Sequence, residues 1–372
     1  MYKSNILRRG DKFIKPSFRR KIMMRSAVLH GIDHISYDEV KIPDIAENEV
    51  LVKVIAAGIC GSDIGRVKTT GTYNFPTIPG HEFAGIVVKK GDNANKFAIN
   101  DRVTVYPLIH CDKCAFCDEV KHNLCDNYNY LGSRCDGGFS EYVKCPERNL
   151  ITIPEEVSFE EASLIEPTAV ALHGVQRAQV GQGDKVLVFG LGSIGLLAVQ
   201  WARIMGASCI VAVDRNDHKL EIAKETGAHY VFNSKKEGFE NEIKEILGDG
   251  AHAILECSGA NIFQELSIAL VRKSGIISIV GNPQSKPDFS KQLWGHILRK
   301  ELTIIGNWNS LMHSKKNEWQ YVVDKIVQKE LRILPVISHR FHLREAKAVF
   351  DDLFDRKIDN YCKGVFFPFG SQ

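Results

Sequence analysis

Four residues in one stretch could do chemistry together: Cys60, Ser62, His81 and Glu82. They stand in Gly58-Ile-Cys-Gly-Ser-Asp63 and in Gly80-His-Glu82. A thiolate, an imidazole and a carboxylate suit a zinc ion that keeps one position open for a substrate oxygen. Ser62, two residues from the thiol, is placed to pass a proton towards solvent. Alone the pattern is weak, because a core cysteine and a satisfied core histidine leave the same text. The rest of the chain has to decide.

A second group is Cys111, Cys114, Cys117 and Cys125, spaced Cys-x2-Cys-x2-Cys-x7-Cys. Four thiolates this close can close a tetrahedral shell with no vacancy, which is the structural type of zinc site. A nucleic-acid-binding zinc ribbon usually pairs two separated knuckles, and this loop lacks the basic and aromatic faces for contact. The third group is Gly190-Leu-Gly192-Ser193-Ile194-Gly195, which follows an apolar run and opens a helix. Gly190 permits the tight turn, Gly192 lets a pyrophosphate approach, and Gly195 allows close helix–strand packing. Backbone N–H groups at the helix start, around Ser193 and Ile194, would meet the phosphates. Asp214, 19 residues after Gly195, can accept from the adenosine ribose and would repel a 2′-phosphate. NAD is favoured over NADP on that ground, although adjacent Arg215 keeps NADP open.

The elements that must hold these groups fall into two grammars. Before about residue 153 the text is strand-rich, with Val50–Ala57 leading to Cys60 and the turn Thr77–Gly80 delivering His81 and Glu82 to another strand. Ser62 and Asp63 read as caps of a short helix. Residues 158–166 read as a helix with a Ser158/Glu161 capping box, ending before Pro167. From Asp184 strands and helices alternate: 185–190, 193–206, 208–214, 217–227, 230–233, 237–247, 253–258, 263–273, 276–281 and 302–306. That is a six-stranded, doubly wound parallel sheet. After Gly306 come a helix near 318–329, strand text near 336–341, a helix near 343–354 and a last strand, 364–367. The expected fold class is α/β. A Rossmann domain at 171–308 joins a discontinuous β-rich domain at 24–170 and 309–372, preceded by a basic leader, 1–23.

Composition narrows the function classes. The leader holds eight Lys/Arg and one acid, so with +3 overall the body carries about −4 and gives no electrostatic reason to expect nucleic acid. No apolar run reaches the ~18 residues of a membrane span. The ten cysteines, four of them clustered, fit metal ligation in a reducing compartment better than disulfides. A cytoplasmic location is therefore expected.

The three motifs together resemble the zinc-dependent medium-chain dehydrogenase/reductases, from about Arg25 to Phe367. The resemblance implies a GroES-like catalytic domain beside the Rossmann domain. Ile165-Glu-Pro-Thr-Ala-Val-Ala-Leu-His173 looks like the polyol dehydrogenase branch, and that likeness makes Glu166 the third ligand, with Cys60 and His81, of a catalytic zinc. Glu82 would then ligate during turnover or act from behind the ligands. Tyr130–Tyr142 and Ile297–Trp308 are most similar to the galactitol-1-phosphate 5-dehydrogenases. The implied activity is reversible NAD-dependent oxidation of a secondary alcohol on a polyol or polyol phosphate, galactitol 1-phosphate to tagatose 6-phosphate being favoured. Sorbitol, xylitol, butanediol and L-threonine are alternative substrates. Two zinc ions per chain and a homodimer or homotetramer are expected, with no nucleic-acid or membrane partner. Arg134 is the candidate to meet a substrate phosphate, although an exposed arginine needs no such role.

Overall fold

The computed structural model describes residues 23–286, 289–313 and 315–370. The basic leader lies outside these residues except for Met23, which opens the strand Met23–Gly31 opposite Lys41.

Runs such as Val186–Phe189 have no polar face, so they need cover on both sides. They find it in a six-stranded parallel sheet ordered Tyr230–Asn233, Cys209–Asp214, Lys185–Phe189, Ala251–Glu256, Val271–Ile279, Thr303–Gly306. Val186 and Val188 pack with Leu196, Trp201 and Leu220. Leu187 and Phe189 pack with Phe239, Ile243 and Ile268. The two-residue period of the strand thus sends alternate side chains to helices on opposite faces. Lys185–Phe189, first in sequence, lies between the second strand and the fourth, so connections leave in opposite directions and open a crevice at the carboxyl ends.

A separate seven-stranded sheet is organised around Glu49–Gly58. Glu82–Lys90 pairs antiparallel with it, and Tyr142–Pro146 and Gly364–Phe367 also pair with it, at residues 49–53 and 57–58. The last strand of the chain therefore docks beside the strand that leads to Cys60. We propose the division 24–170 with 309–372, and 171–308, as the working domain boundaries; the first cut falls inside the helix Ile165–Arg177. No helix among the described residues is long and apolar enough to cross a membrane.

Local text misled in four places. Pro167 does not follow a helix end: it sits in the first turn of Ile165–Arg177, where its missing N–H has no intrahelical partner to lose. Of the two expected caps of the short helix Gly61–Gly65, Asp63 does cap it from inside the first turn, by accepting from the backbone of the N-cap Cys60, whereas Ser62 does not. The helix expected to reach Lys273 stops at Leu270, because Val271 pairs with Ala251 in the parallel sheet. Strand text near 336–341 forms a 3-10 turn at Leu334–Val336 and a strand only at His339–His342. The helix Lys291–Arg299, capped by Ser290, was not anticipated.

Candidate metal centre and cofactor cleft

The metal-type donors meet because of strand register. Gly58 pairs antiparallel with Glu82 on one side and Val365 on the other, so the segments that precede those two residues run alongside the one that leads from Gly58 to Cys60. A Cβ at Gly58 would come within 2.3 Å of Glu82 Oε2, so only glycine admits this approach. Cys60, His81 and Glu82 then offer Sγ, a ring nitrogen and a carboxylate oxygen all within 4.8 Å of one another.

Each donor has a partner that aims it. The Cys60 N–H donates to Asp63 Oδ2 at 3.1 Å, fixing the N-cap and the thiol direction. Asp63 is fully buried, and its Oδ1 lies 3.2 Å from His81 Nδ1, close but off the angle of a full hydrogen bond. A proton held on Nδ1 leaves the Nε2 lone pair for a metal. Burial opposes charge on Asp63, but His81 and Arg66 beside it hold its carboxyl below the usual range. Ser62 Oγ donates to Cys60 Sγ at 3.2 Å and accepts from Arg66 Nη1 at 2.9 Å.

Glu82 and Glu166 are both buried but differ in company. Lys363 Nζ lies 2.7 Å from Glu82 Oε1 and 2.5 Å from Oε2. Burial works against the Lys363 charge, but Glu82, aided by Cys60 and Tyr361, holds its pKa above the ordinary lysine value. Glu166, in the first turn of Ile165–Arg177, is not among the donors gathered within 4.8 Å. It lines the same cavity and accepts from Tyr130 Oη at 3.4 Å, with no basic side chain paired to it among the described residues. Burial pushes its carboxyl up to about 7, His81 opposing and Glu82 reinforcing the rise. A buried carboxylate with so little compensation suits a cation nearby.

The four-cysteine group is also assembled. Its Sγ atoms lie within 4.8 Å of one another, with Cys114 3.6 Å from Cys117 and Cys111 3.9 Å from Cys117. A tetrahedron with Zn–S bonds of ~2.3 Å has edges of ~3.8 Å, so the spacing fits zinc. The Cys111 N–H points at Cys125 Sγ at 3.3 Å. Backbone N–H groups of the Asp126 and Cys117 segments pull the Cys114 thiol down to about 7, whereas burial pushes Cys125 up to about 12. Four thiolates together need a metal's charge.

The glycine turn has a shape that could hold a dinucleotide. Gly190 has φ +84°, and a Cβ there would meet Ser258 at 2.6 Å. Gly192 caps Ser193–Ile204 with no side-chain hydrogen bond, so the first N–H groups stay available for phosphate. Asp214 ends its strand, accepting from the Leu191 N–H at 2.7 Å and the Asn216 N–H at 3.0 Å. Arg215 is exposed beside it. One cavity of about 530 Å³ joins the two halves, lined by Cys60, His81, Glu82 and Glu166 on one side and Gly192, Ser193 and Ile194 on the other.

Sequence reasoning missed several members. Asp63 was in the quoted motif and read only as a cap, without its contact to His81, and Arg66 three residues on was passed over. Tyr130, whose hydroxyl also reaches Asn309 Oδ1 at 3.4 Å, stood in a quoted stretch without a role. Lys363 is 281 residues from Glu82 and carries no local signal. Arg134 is placed beside the cavity, stacked between Tyr73 and Tyr128.

The chain was compared with known proteins. Residues 193–328 match the zinc-binding dehydrogenase family and residues 46–155 the alcohol dehydrogenase GroES-like domain. Galactitol 1-phosphate 5-dehydrogenase of Escherichia coli K12 is 33% identical over 334 residues, covering 88% of this chain and 96% of that protein. The crystal structure of galactitol-1-phosphate dehydrogenase from Escherichia coli superposes with a TM-score of 0.87 at 31% identity, over 93% of this chain and 100% of that one. Sorbitol dehydrogenase of Bacillus subtilis is 37% identical over 266 residues, 70% of this chain and 75% of that protein. A zinc-binding dehydrogenase from Sinorhizobium meliloti, solved bound to NADP, gives a TM-score of 0.85 at 30% identity, over 93% of this chain and 100% of that one.

Proposed function

The chain belongs to the zinc-binding alcohol dehydrogenase family, polyol dehydrogenase branch, and from that we propose that it oxidises a secondary alcohol of a polyol or polyol phosphate with NAD. Galactitol 1-phosphate is the favoured substrate and tagatose 6-phosphate the product. The observation that carries this reading is the single cavity in which the Cys60–His81–Glu82 donors and Glu166 face the Gly192–Ile194 turn.

In this reading Cys60, His81 and Glu166 hold the catalytic zinc, and Cys111, Cys114, Cys117 and Cys125 hold the structural one. Zinc bound there would supply Lewis-acid polarisation of the carbinol oxygen, and a nicotinamide in the cleft would supply the hydride acceptor. Asp63 orients the His81 ring, and Tyr130 orients the Glu166 carboxylate. Ser62 Oγ relays the alcohol proton towards solvent, releasing its own hydroxyl proton as it takes the new one, while Arg66 Nη1 donates to the oxygen and holds it in place. Lys363 pairs with Glu82 and keeps it occupied, so Glu82 would be free to ligate only when that pair loosens. Gly190, Gly192, Ser193, Ile194 and Gly195 seat the pyrophosphate. Asp214 and Arg215 face the adenosine ribose, the acid selecting NAD.

The likeness to the Bacillus subtilis sorbitol dehydrogenase supports an unphosphorylated polyol as the second reading. We also propose a homodimer or homotetramer, supported by the edge strand Thr303–Gly306 and the exposed Trp294 and Leu298 near it in sequence. A cytoplasmic location is supported by ten cysteines that are all free thiols. The test is a panel of polyols and polyol phosphates with NAD⁺ and NADP⁺, followed by nicotinamide absorbance. Galactitol 1-phosphate with NAD⁺ is expected to turn over fastest; faster turnover of sorbitol or L-threonine would replace the favoured substrate.

A further inference from the structure

Arg134 stands out among the basic side chains around the cavity. Arg66 is paired with Asp63 at 3.1 Å, and Lys363 with Glu82 at 2.5 Å. Arg134 has no acidic partner among the described residues, and its Nε is buried with no hydrogen-bond acceptor. Its guanidinium carbon lies 4.1 Å from the Tyr73 ring centre and 4.4 Å from that of Tyr128. Both rings, and Ser133 next in the chain, line the cavity.

The backbone holds this arrangement in place. The Tyr73 N–H donates to the Ser133 carbonyl at 3.2 Å, and Asn74 Nδ2 to the Arg134 carbonyl at 3.3 Å. Tyr128 in turn meets Tyr130 edge to face, with ring centres 6.2 Å apart, and Tyr130 reaches Glu166. A row of rings therefore runs from the reacting end of the cavity to the guanidinium. The two rings hold the guanidinium in place without neutralising its charge, and with Nε buried its Nη groups are the donors left for a ligand. A planar edge of donors held this way matches a phosphate oxygen pair.

We propose that Arg134, held between Tyr73 and Tyr128, is the anchor for the phosphate monoester of the substrate, and so the residue that selects polyol phosphates over polyols. The proposal rests on the polyol dehydrogenase reading of the same cavity. Arg134 is thus a specificity-determining residue that touches the far end of the substrate, away from the reacting carbon.

The experiment compares the zinc-loaded wild type with Arg134→Met and Arg134→Lys, each with galactitol 1-phosphate and with galactitol. Met can fill the slot between the rings, so the variant keeps the packing and loses the charge. Loss of a charge-assisted hydrogen bond is expected to lower kcat/KM for the phosphate ester by roughly tenfold or more, chiefly through KM, with galactitol unchanged. Arg134→Lys should recover part of that loss for the ester alone. Inorganic phosphate should compete with the ester in the wild type and not in Arg134→Met. Equal losses on both substrates would make Arg134 a packing residue and overturn the assignment while leaving polyol phosphate oxidation intact. A wild type that prefers galactitol would overturn the phosphate anchor as well, and unchanged ester kinetics in Arg134→Met would do the same for Arg134 alone.

Discussion

Lys363 and Glu82, 281 residues apart, form an ion pair buried on both sides, with Nζ 2.7 Å from Oε1. The pair exists because Gly58 carries Glu82 on one flank and the strand beginning at Gly364 on the other. Removing one partner leaves the other charged and dry, which costs about 3–5 kcal/mol, whereas removing both with similar volume costs far less. Lys363→Met and Glu82→Gln should each destabilise the zinc-loaded protein by about 3 kcal/mol in urea unfolding, and the double variant by well under their sum. Strictly additive losses would mean that the pair is not coupled.

Glu256 gives a pH signature. It is fully buried without a basic partner among the described residues, and its Oε1 accepts from Ser258 N at 2.8 Å, Ser258 Oγ at 2.5 Å and Gly259 N at 3.0 Å. Burial raises its pKa above the ordinary glutamate value, the Ser258 and Gly259 bonds opposing. With the folded pKa above the unfolded one, its stabilising contribution is complete below about pH 4.3 and is lost as pH rises through the raised value. The stability of the wild type relative to Glu256→Gln should therefore fall across that window and then level off. A constant difference would contradict the shift. Because Ser258 abuts Gly190, Glu256→Gln should also raise KM for the cofactor more than it lowers kcat.

Asp214 tests the cofactor assignment. Its carboxylate is fixed by the Leu191 and Asn216 N–H groups, leaving other lone pairs for ribose hydroxyls. Asp214→Ser should shift the NADP⁺ to NAD⁺ ratio of kcat/KM upward by roughly tenfold or more, since it removes a charge that repels a 2′-phosphate. No change in the ratio, or a wild type that already prefers NADP⁺, would remove Asp214 from cofactor choice and leave Arg215 in command.

The parts of the fold that local text could carry were legible. The alternation after Asp184 gives six strands because the central apolar runs are covered by helices on both faces, and the glycine turn announces itself by position between strand and helix. The clustering of the cysteine lobe was legible because its four cysteines lie within 15 residues. What escaped depends on pairing between distant segments. Lys363 reaches Glu82 through sheet register, and Val271 leaves its helix to pair with Ala251. Pro167 was misread because a proline after glutamate ends one helix or begins another, and only the packing of Ile165–Arg177 against Ser193–Ile204 decides. Glu166 fell at that misplaced helix end for the same reason, and only the likeness to polyol dehydrogenases gave it a role.

The central claim is that two zinc sites share one chain, an open one at Cys60, His81 and Glu166 and a closed one at the cysteine lobe. The direct measurement is zinc content of the purified, dialysed protein by elemental analysis, for the wild type, Cys60→Ser and Cys114→Ser. Two ions per chain are expected in the wild type and one in Cys60→Ser, with the fold retained and dehydrogenase activity gone. A wild type with one ion that Cys60→Ser keeps and Cys114→Ser loses would contradict the account, because the cavity that faces the cofactor would then hold no metal.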